Sequence, residues 1–228
     1  MVMRDISQRK DTERRAALLL GELDHRVKNI LAIVSGVISQ TLRANLTPKD
    51  FAAEIEGRVQ AIAKAHSLLT QAGHGDMSLR AICATELAPY DQATDAVRIT
   101  GGDIALTPKA GLALSMAIHE LTTNAAKYGA LSTEAGRLTV TWKVTGATGG
   151  QTLTLNWTEA GGPRVEPPAR RGFGTTLIER ALAHGLDATV NREFLPSGVC
   201  CAIAIPLTED IGRVASAGEA GERHDAPR

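Results

Sequence analysis

The sequence predicts an α+β fold, in which a hairpin of two long helices precedes an α/β sandwich. Three observations support this prediction. Apolar residues recur every three or four positions from residue 18 to 42, which is the heptad pattern of a packed helix. A second amphipathic stretch follows Thr47 and Pro48. Apolar and polar residues then alternate at 138–144 and 153–157, which is the period of half-buried strands.

The two predicted helices form an antiparallel hairpin because only a short loop separates them. The first helix extends from residue 18 to about Asn45, and the second begins with Thr47 as N-cap and Pro48 at the first helical position. Alone, the hairpin leaves an apolar face uncovered. We therefore expect a homodimer in which two hairpins form a four-helix bundle, or packing of the hairpin on the following domain.

His25 lies on the polar face of the first predicted helix. Counted from the heptad seam, its position points away from a partner helix, and its neighbours are almost all polar. A lone histidine on such a face is most often an ordinary solvated residue, but its imidazole would also be accessible to a second domain. His66 falls in the apolar stripe of the second helix, so we interpret it as a core or interface residue.

The segment from Gly73 to Asp76 predicts a domain boundary. We expect a linker at 1–17, the hairpin at 18–72, the sandwich at 77–207 and a disordered tail at 208–228. Within the sandwich the pattern predicts, in order, a helix at 78–87, strands at 97–100 and 104–106, a helix from Pro108 to Tyr128 ended by Gly129, two strands joined by a turn at 146–150, a helix at 174–184, and strands at 188–194 and 199–207.

The composition excludes some classes of partner and location. The chain has 25 basic and 25 acidic residues among 228, so nothing favours nucleic acid or a membrane surface as a partner. Its 3 cysteines include no C-x-x-C pair and fit buried apolar residues of a reducing cytoplasm. No apolar run is long enough to span a membrane, and the charged N-terminus does not resemble a signal peptide. We therefore expect a cytoplasmic chain without a membrane segment.

Residues suited to phosphate chemistry lie on the helix that ends at Tyr128. Glu120, Asn124 and Lys127 are spaced i, i+4 and i+7, so they share one face. A carboxylate, an amide oxygen and an ammonium suit a phosphate with magnesium, as a hard metal ligand, a base or water-holder, and a cation for anionic oxygens. Polar helix faces often contain such trios, so an ordinary solvated face is the alternative.

Two glycine-containing loops add further candidates. Glu159 leaves a strand beside Gly161, where its carboxylate could accept a hydrogen bond from an exocyclic amine of a planar ligand. Gly172, Gly174 and Thr175 open a helix whose free N–H groups and dipole favour anions. Each loop by itself could also be an ordinary turn.

Four segments resemble, in order, the signature boxes of the HWE sensor histidine kinases. They are HRVKN at 25–29, HELTTNAAKYGALS at 119–132, NWTEAGGP at 156–163 and GFGTTLIERAL at 172–182. That family is named for a histidine, a tryptophan and a glutamate that match His119, Trp157 and Glu159. The similarity extends from about Glu22 to Pro206. Residues 4–17 also resemble the segment that closes many PAS sensor domains, so we expect an upstream sensor domain outside this chain.

The resemblance implies a dimerisation and phosphoacceptor hairpin followed by an ATP-binding domain of the GHKL or Bergerat type. It implies that His25 is autophosphorylated, Asn124 is the Mg²⁺ ligand, and Glu159 binds the adenine amine. Arg26 stands where conventional kinases have an acid, so Glu22, one helical turn before His25, is a candidate to orient the imidazole. The other residues assigned to nucleotide binding are His119, Lys127, Tyr128, Trp157, Gly161, Gly172, Gly174 and Thr175.

The expected function is autophosphorylation of His25 from ATP, followed by transfer to an aspartate of a response-regulator receiver domain. One alternative is a histidine phosphotransferase with a degenerate ATP domain, which would show eroded glycines and no asparagine. Another is a GHKL-type ATPase that uses Glu120 to activate water. A solvated His25 on a heptad helix argues against the ATPase.

Overall fold

The structure is a computed structural model, and its two compact units are Met1–Glu56 and Gly57–Arg228. The division between these units falls inside the second predicted helix, and the domain boundary predicted at 73–76 stays a prediction. The residues that the structure describes are 34, 35, 38, 39, 41, 42, 47–71, 75–91, 96–147, 149–166, 182, 183 and 185–215.

Helix α1, Pro48–Gln71, is the second helix of the predicted hairpin and begins at the predicted residue. Its first turn closes where Phe51 N donates to Thr47 O at 2.9 Å. The described positions of the first predicted helix, from 34 to 42, are helical. His25 and the rest of that helix lie outside the described residues.

The buried side of α1 is not the stripe that the sequence predicts. Ala61, Ile62 and Ala65 are buried, whereas Val59 and His66 are exposed. The interpretation of His66 as a core residue was therefore wrong for this chain by itself. Ala65 belongs to the core cluster, and the partly buried Leu68 and Leu69 pack against it, so the buried side of α1 is turned away from Val59 and His66.

The described elements of the sandwich lie close to the predicted bounds, and most of the helix predicted at 174–184 lies outside the described residues. Helix α2 continues past the predicted end at residue 87, with Pro89 inside it. The elements are β1 (Met77–Ser78), α2 (Leu79–Asp91), β2 (Val97–Thr100), β3 (Ile104–Leu106), α3 (Pro108–Tyr128), a 3₁₀ turn (Ala130–Ser132), β4 (Arg137–Thr145), β5 (Thr152–Ala160), β6 (Thr189–Leu195), β7 (Gly198–Pro206) and β8 (Gly212–Val214).

The strands form two sheets. The larger has 5 strands in the order β2-β4-β5-β7-β6, and only the β2–β4 pair is parallel among them. The smaller has 3 strands in the order β1-β3-β8, all antiparallel. The predicted α+β class and the mostly antiparallel sheet are confirmed.

One face of β5 forms the centre of the core. Leu153, Leu155 and Trp157 are each 0% exposed, because alternate residues of a strand share a face. Leu114 and Ile118 of α3 belong to the same buried cluster. Burying each such side chain stabilises the fold by roughly 1.5–3 kcal/mol. Glu159 continues this row, so the strand places a carboxylate where another core residue would otherwise stand.

The predicted start of a disordered tail at residue 208 is wrong. Ile211 is 8% exposed and joins the core, and β8 pairs with β3. Asp76 accepts a hydrogen bond from Arg213. Short alternation, with only Ile211 and Val214 as large apolar residues in this stretch, gave too weak a signal for a strand.

The remaining sequence features concern cysteines and hydropathy. Cys83 and Cys201 are buried and Cys200 is half-buried. Burial raises the pKa of the Cys83 thiol to about 12, so this thiol is neutral at physiological pH. Within the described part of the chain, no helix combines the length and apolar character needed to cross a membrane.

Candidate functional site

A pocket of about 400 Å³ lies where the end of α3 meets the sheet. It brings together Asn124, Tyr128 and Glu159, which the sequence predicts from two separate segments. The described residues that line it are Leu121, Asn124, Tyr128, Gly129, Glu159, Arg164, Val165, Glu166, Arg192, Phe194 and Val199. Three of the residues that the sequence assigns to nucleotide binding therefore line one pocket, together with eight residues that it did not name.

Two residues of α3 that line the pocket are one helical turn apart. Asn124 is half-buried, and Tyr128, one turn later, is 73% exposed. Helix α3 is held at its start by Thr107, whose hydroxyl accepts from Ala110 N at 3.4 Å. Lys127 is exposed and is not among the described lining residues. Of Glu120, Asn124 and Lys127, which the sequence places on one face, Asn124 is the one among the described lining residues.

Glu159 forms the buried side of the pocket with a fully oriented carboxylate. Its side chain is 5% exposed. Oε2 accepts from Ala130 N at 2.9 Å, and Oε1 accepts from Trp157 Nε1 at 3.0 Å. A buried carboxylate without such donors would be costly, and hydrogen bonds to an ionised acceptor are among the stronger ones. The carboxylate therefore has a fixed orientation before any ligand binds.

Two glycines let the backbone approach this carboxylate. A Cβ at Gly129 would collide with Oε2 of Glu159, so only glycine leaves room for the side chain at the end of α3. Gly161 has φ 72°, a left-handed conformation that glycine adopts without strain. It turns the chain after β5 toward Thr133, whose hydroxyl donates to Gly161 O at 3.2 Å. Gly161, which the sequence assigns to nucleotide binding, shapes this loop and is not among the described lining residues.

The resemblance assigns Trp157 to nucleotide binding, but Trp157 does not line the described pocket. Its side chain is 0% exposed, and it is absent from the described lining residues. Its indole N–H reaches Glu159 instead. Any effect of Trp157 on a ligand must therefore pass through that carboxylate.

Glu120 is held by an arginine of α1. The carboxylate is buried, and Arg58 Nε lies 2.6 Å from Oε1 while Arg58 Nη2 lies 3.3 Å from Oε2. This is the two-point geometry that guanidinium groups favour with carboxylates. Glu120 is not among the described lining residues. The structure therefore separates it from Asn124, although both lie on the predicted face.

His119 lies in a second polar contact beside this pair. Its Nδ1 is 2.9 Å from Oε2 of Glu86 on α2, and Lys64 Nζ is 3.6 Å from the same oxygen. A Cβ at Gly57 of α1 would be 3.4 Å from His119 Nε2. His119 is thus placed between α1 and α2, and not at the pocket where the sequence predicted it.

Arg58 and Glu86 are residues that the sequence analysis missed. A signal for Arg58 was present, because Arg58, Ala61, Ile62 and Ala65 follow the i, i+3, i+4, i+7 spacing of one helix face. An arginine inside that pattern marks a buried cation that needs an acid. No comparable signal marks Glu86, since its partners His119 and Lys64 come from distant segments.

The predicted residues Gly172, Gly174 and Thr175, like His25, lie outside the described residues. The described pocket combines an amide, an oriented carboxylate and the cationic side chains of Arg164 and Arg192. The carboxylate suits an N–H donor, whereas the cations suit an anion. An amide oxygen is also a ligand that Mg²⁺ accepts when phosphates and water complete its shell, so Asn124 fits that ion.

The chain is similar in sequence to known histidine kinases. Residues 22–103 match the HWE histidine kinase family. The blue-light-activated histidine kinases of Brucella ovis and Brucella anthropi are each 35% identical, over 92% and 91% of this chain. The chain spans 43% and 42% of the length of these two relatives. The predicted family resemblance is confirmed.

Solved structures share the fold. The blue-light activated histidine kinase of Erythrobacter litoralis has a TM-score of 0.60 at 16% identity, covering 82% of this chain and 60% of that one. Its histidine kinase domain has a TM-score of 0.54 at 17% identity, covering 68% of this chain and 76% of that one. The overall fold described above is thus that of histidine kinases.

Proposed function

We propose, from the premise that residues 22–103 form a domain of the HWE histidine kinase family, that this chain phosphorylates itself on His25 with ATP. A ring nitrogen of His25 attacks the γ-phosphorus, the bond from that phosphorus to the bridging oxygen breaks, and ADP leaves. The phosphoryl group then passes to an aspartate of a response-regulator receiver domain. Positioning and charge neutralisation supply most of the acceleration in such transfers.

The observation that supports this proposal most is the shared pocket of Asn124 and Glu159. Glu159 would accept a hydrogen bond from the adenine amine, and this role is supported by the two protein donors that hold its buried carboxylate. Asn124 would hold Mg²⁺, which when bound neutralises charge on the phosphate oxygens. Tyr128 would cover one side of the base from its exposed position at the pocket.

Other residues and properties belong to the same proposal. Gly172, Gly174 and Thr175 would form a lid over the phosphates, and Lys127 would attract them as a nearby cation. A homodimer through the helical hairpin, a cytoplasmic location and an upstream sensor domain belong to the same proposal. Each follows from the family resemblance and the sequence pattern.

The ATPase alternative is less favoured by the contacts of Glu120. A general base must have a free oxygen within reach of the attacking water. Glu120 is 5% exposed, its carboxylate is paired with Arg58, and it is not among the described residues that line the pocket. The phosphotransferase alternative predicts a degenerate nucleotide site, whereas the pocket retains Asn124 and an oriented Glu159.

Incubation of the full chain with γ-labelled ATP and Mg²⁺, followed by mapping of the label, tests the proposal. We expect label on His25 that is lost in acid and survives base, because protonation of a phosphoramidate nitrogen makes it a good leaving group. His25→Gln should bind ATP normally and retain no stable label. His66→Gln, at an exposed histidine of α1, is the matched control and should label normally. Label that persists in His25→Gln would contradict the proposal.

A further inference from the structure

The two tryptophans of the chain use their indole N–H groups differently. Trp142 Nε1 donates to the backbone oxygen of Gly102 at 2.7 Å. Trp157 Nε1 donates to a carboxylate oxygen of Glu159 at 3.0 Å. Both side chains are at most 5% exposed, and a buried indole N–H needs an acceptor. Only at Trp157 does this requirement involve a residue of the pocket.

Glu159 is fixed from two sides by these contacts. Trp157 precedes it by two residues on β5, so both side chains lie on the same face of the strand. Ala130 N, from the turn after α3, occupies the other carboxylate oxygen at 2.9 Å. One donor on each oxygen prevents rotation of the carboxylate plane.

The remaining acceptor sites of Glu159 are then available to the pocket. A carboxylate has roughly four lone-pair sites, and one site on each oxygen is occupied by a protein donor. A ligand that binds a side chain already held in place does not have to offset the loss of its rotational freedom. The orientation of Oε1 depends on the indole N–H alone among the described donors to that oxygen.

We propose that Trp157 is a positioning residue that makes the pocket selective for purines with a 6-amino group. This inference rests on the proposed function, which assigns Glu159 to the adenine amine. The indole N–H directs the free lone pair of Oε1 toward that amine without contacting the ligand. Without this donor the carboxylate can turn, and the advantage of an amine on the base is reduced.

The test compares two nucleotides that differ only in the amino group, ADP and purine riboside 5′-diphosphate. Dissociation constants are measured by isothermal titration calorimetry with the full chain and Mg²⁺. We expect the unmodified chain to bind ADP at least about tenfold more tightly, the size of one hydrogen bond to a charged group. Trp157→Phe should reduce this preference to roughly threefold or less, mainly through weaker ADP binding.

Trp142→Phe is the matched control, because it removes the same N–H and ring volume from a residue outside the described pocket lining. It should keep the full preference for ADP. If Trp157→Phe weakens both nucleotides by the same factor, Trp157 has only a structural role and the inference is overturned. If the unmodified chain shows no preference, the assignment of Glu159 to adenine fails, and the inference fails with it.

A second variant covers the case in which Trp157→Phe does not fold. In the Trp142→Phe background, Trp157 is the one remaining tryptophan of the 2 in the chain. Replacing it with β-(benzothien-3-yl)alanine substitutes sulfur for the N–H and nearly preserves the ring shape. The same loss of preference for ADP is expected. Retention of the full preference by this folded variant would overturn the inference.

Discussion

Helix α3 presents polar residues in two different settings, although they belong to one continuous segment of sequence. Asn124 and Tyr128 line the pocket, where their polar atoms can meet a ligand. His119 and Glu120 contact Glu86 and Arg58 instead. The comparison shows that a polar residue next to one that lines the pocket can serve the protein's own packing.

The two settings also differ in charge, because one contains an ion pair and the other a neutral amide. Glu120 is buried, and its carboxylate meets a guanidinium at two points, so the cost of removing it from water is offset within the protein. Asn124 is neutral and half-buried, so it remains open to an ion at little cost. Arg58 belongs to α1, and the ion pair therefore connects that helix to α3 within the Gly57–Arg228 unit.

Asn124→Ala gives the largest effect expected on the pocket side. It removes the proposed metal ligand without removing core packing, and losing such a charge-stabilising group costs about two orders of magnitude or more in rate. Autophosphorylation with labelled ATP measures this loss. The free energy of unfolding should change by less than about 1 kcal/mol, as at other partly exposed sites.

Asn191→Ala is the control for that substitution, because Asn191 is exposed on β6 and is not among the described lining residues. It should phosphorylate at the normal rate. Similar rates in the two variants would remove the distinction between the pocket side of α3 and the rest of the surface.

Arg58→Met tests the other setting. It leaves the buried carboxylate of Glu120 without its guanidinium, and breaking a buried pair from one side costs about 3–5 kcal/mol. Urea denaturation should show a loss of that size. The double variant Arg58→Met with Glu120→Gln should recover part of the loss, because no unpaired charge remains. A single variant within about 0.5 kcal/mol of the unmodified chain, the range of an ordinary surface site, would mean that the pair is exposed in solution.

Most of the fold could be predicted because its elements have clear local signals. Thr107 and Pro108 predict the start of α3, and Gly129 predicts its end, which the structure confirms. Strands β4 and β5 follow from strict alternation of apolar residues. Strand β8 was missed because its pairing with β3 depends on a contact with a distant segment, whereas the buried side of α1 was missed although Arg58, Ala61, Ile62 and Ala65 follow helical spacing.

The residues of the pocket were only partly predictable from the sequence. Spacing places Glu120, Asn124 and Lys127 on one face, but spacing does not reveal that Arg58 contacts one of them. Alternation places Trp157 and Glu159 on the same side of β5, but it does not show which of the two side chains lines the pocket. The exposed fraction of each side chain separates Glu159, which lines the pocket, from Trp157, which does not, and this fraction is a property of the assembled core.

Truncation after Thr208 tests whether the residues after 208 stabilise the fold and hold the start of α3. It removes β8 and Ile211, and it removes Asp210 O and Ile211 O, which accept from Thr107 Oγ1 and N at 2.9 Å. Burial of Ile211 alone is worth roughly 1.5–3 kcal/mol, so the free energy of unfolding should fall by about that amount or more. Truncation after Ala215 is the control and should leave stability unchanged. Equal stability of the two shortened chains would return this segment to a dispensable tail.

His119→Gln gives the smallest expected effect and separates the two settings most sharply. The sequence predicts His119 at the nucleotide, whereas the structure places its Nδ1 against Glu86. Glutamine can still donate a hydrogen bond to that carboxylate, and the described pocket lining is untouched. The dissociation constant for ADP, measured by calorimetry, should therefore change by no more than about twofold, a few tenths of a kcal/mol. A loss of tenfold or more would mean that His119 reaches the nucleotide, and that both ends of this segment serve the pocket.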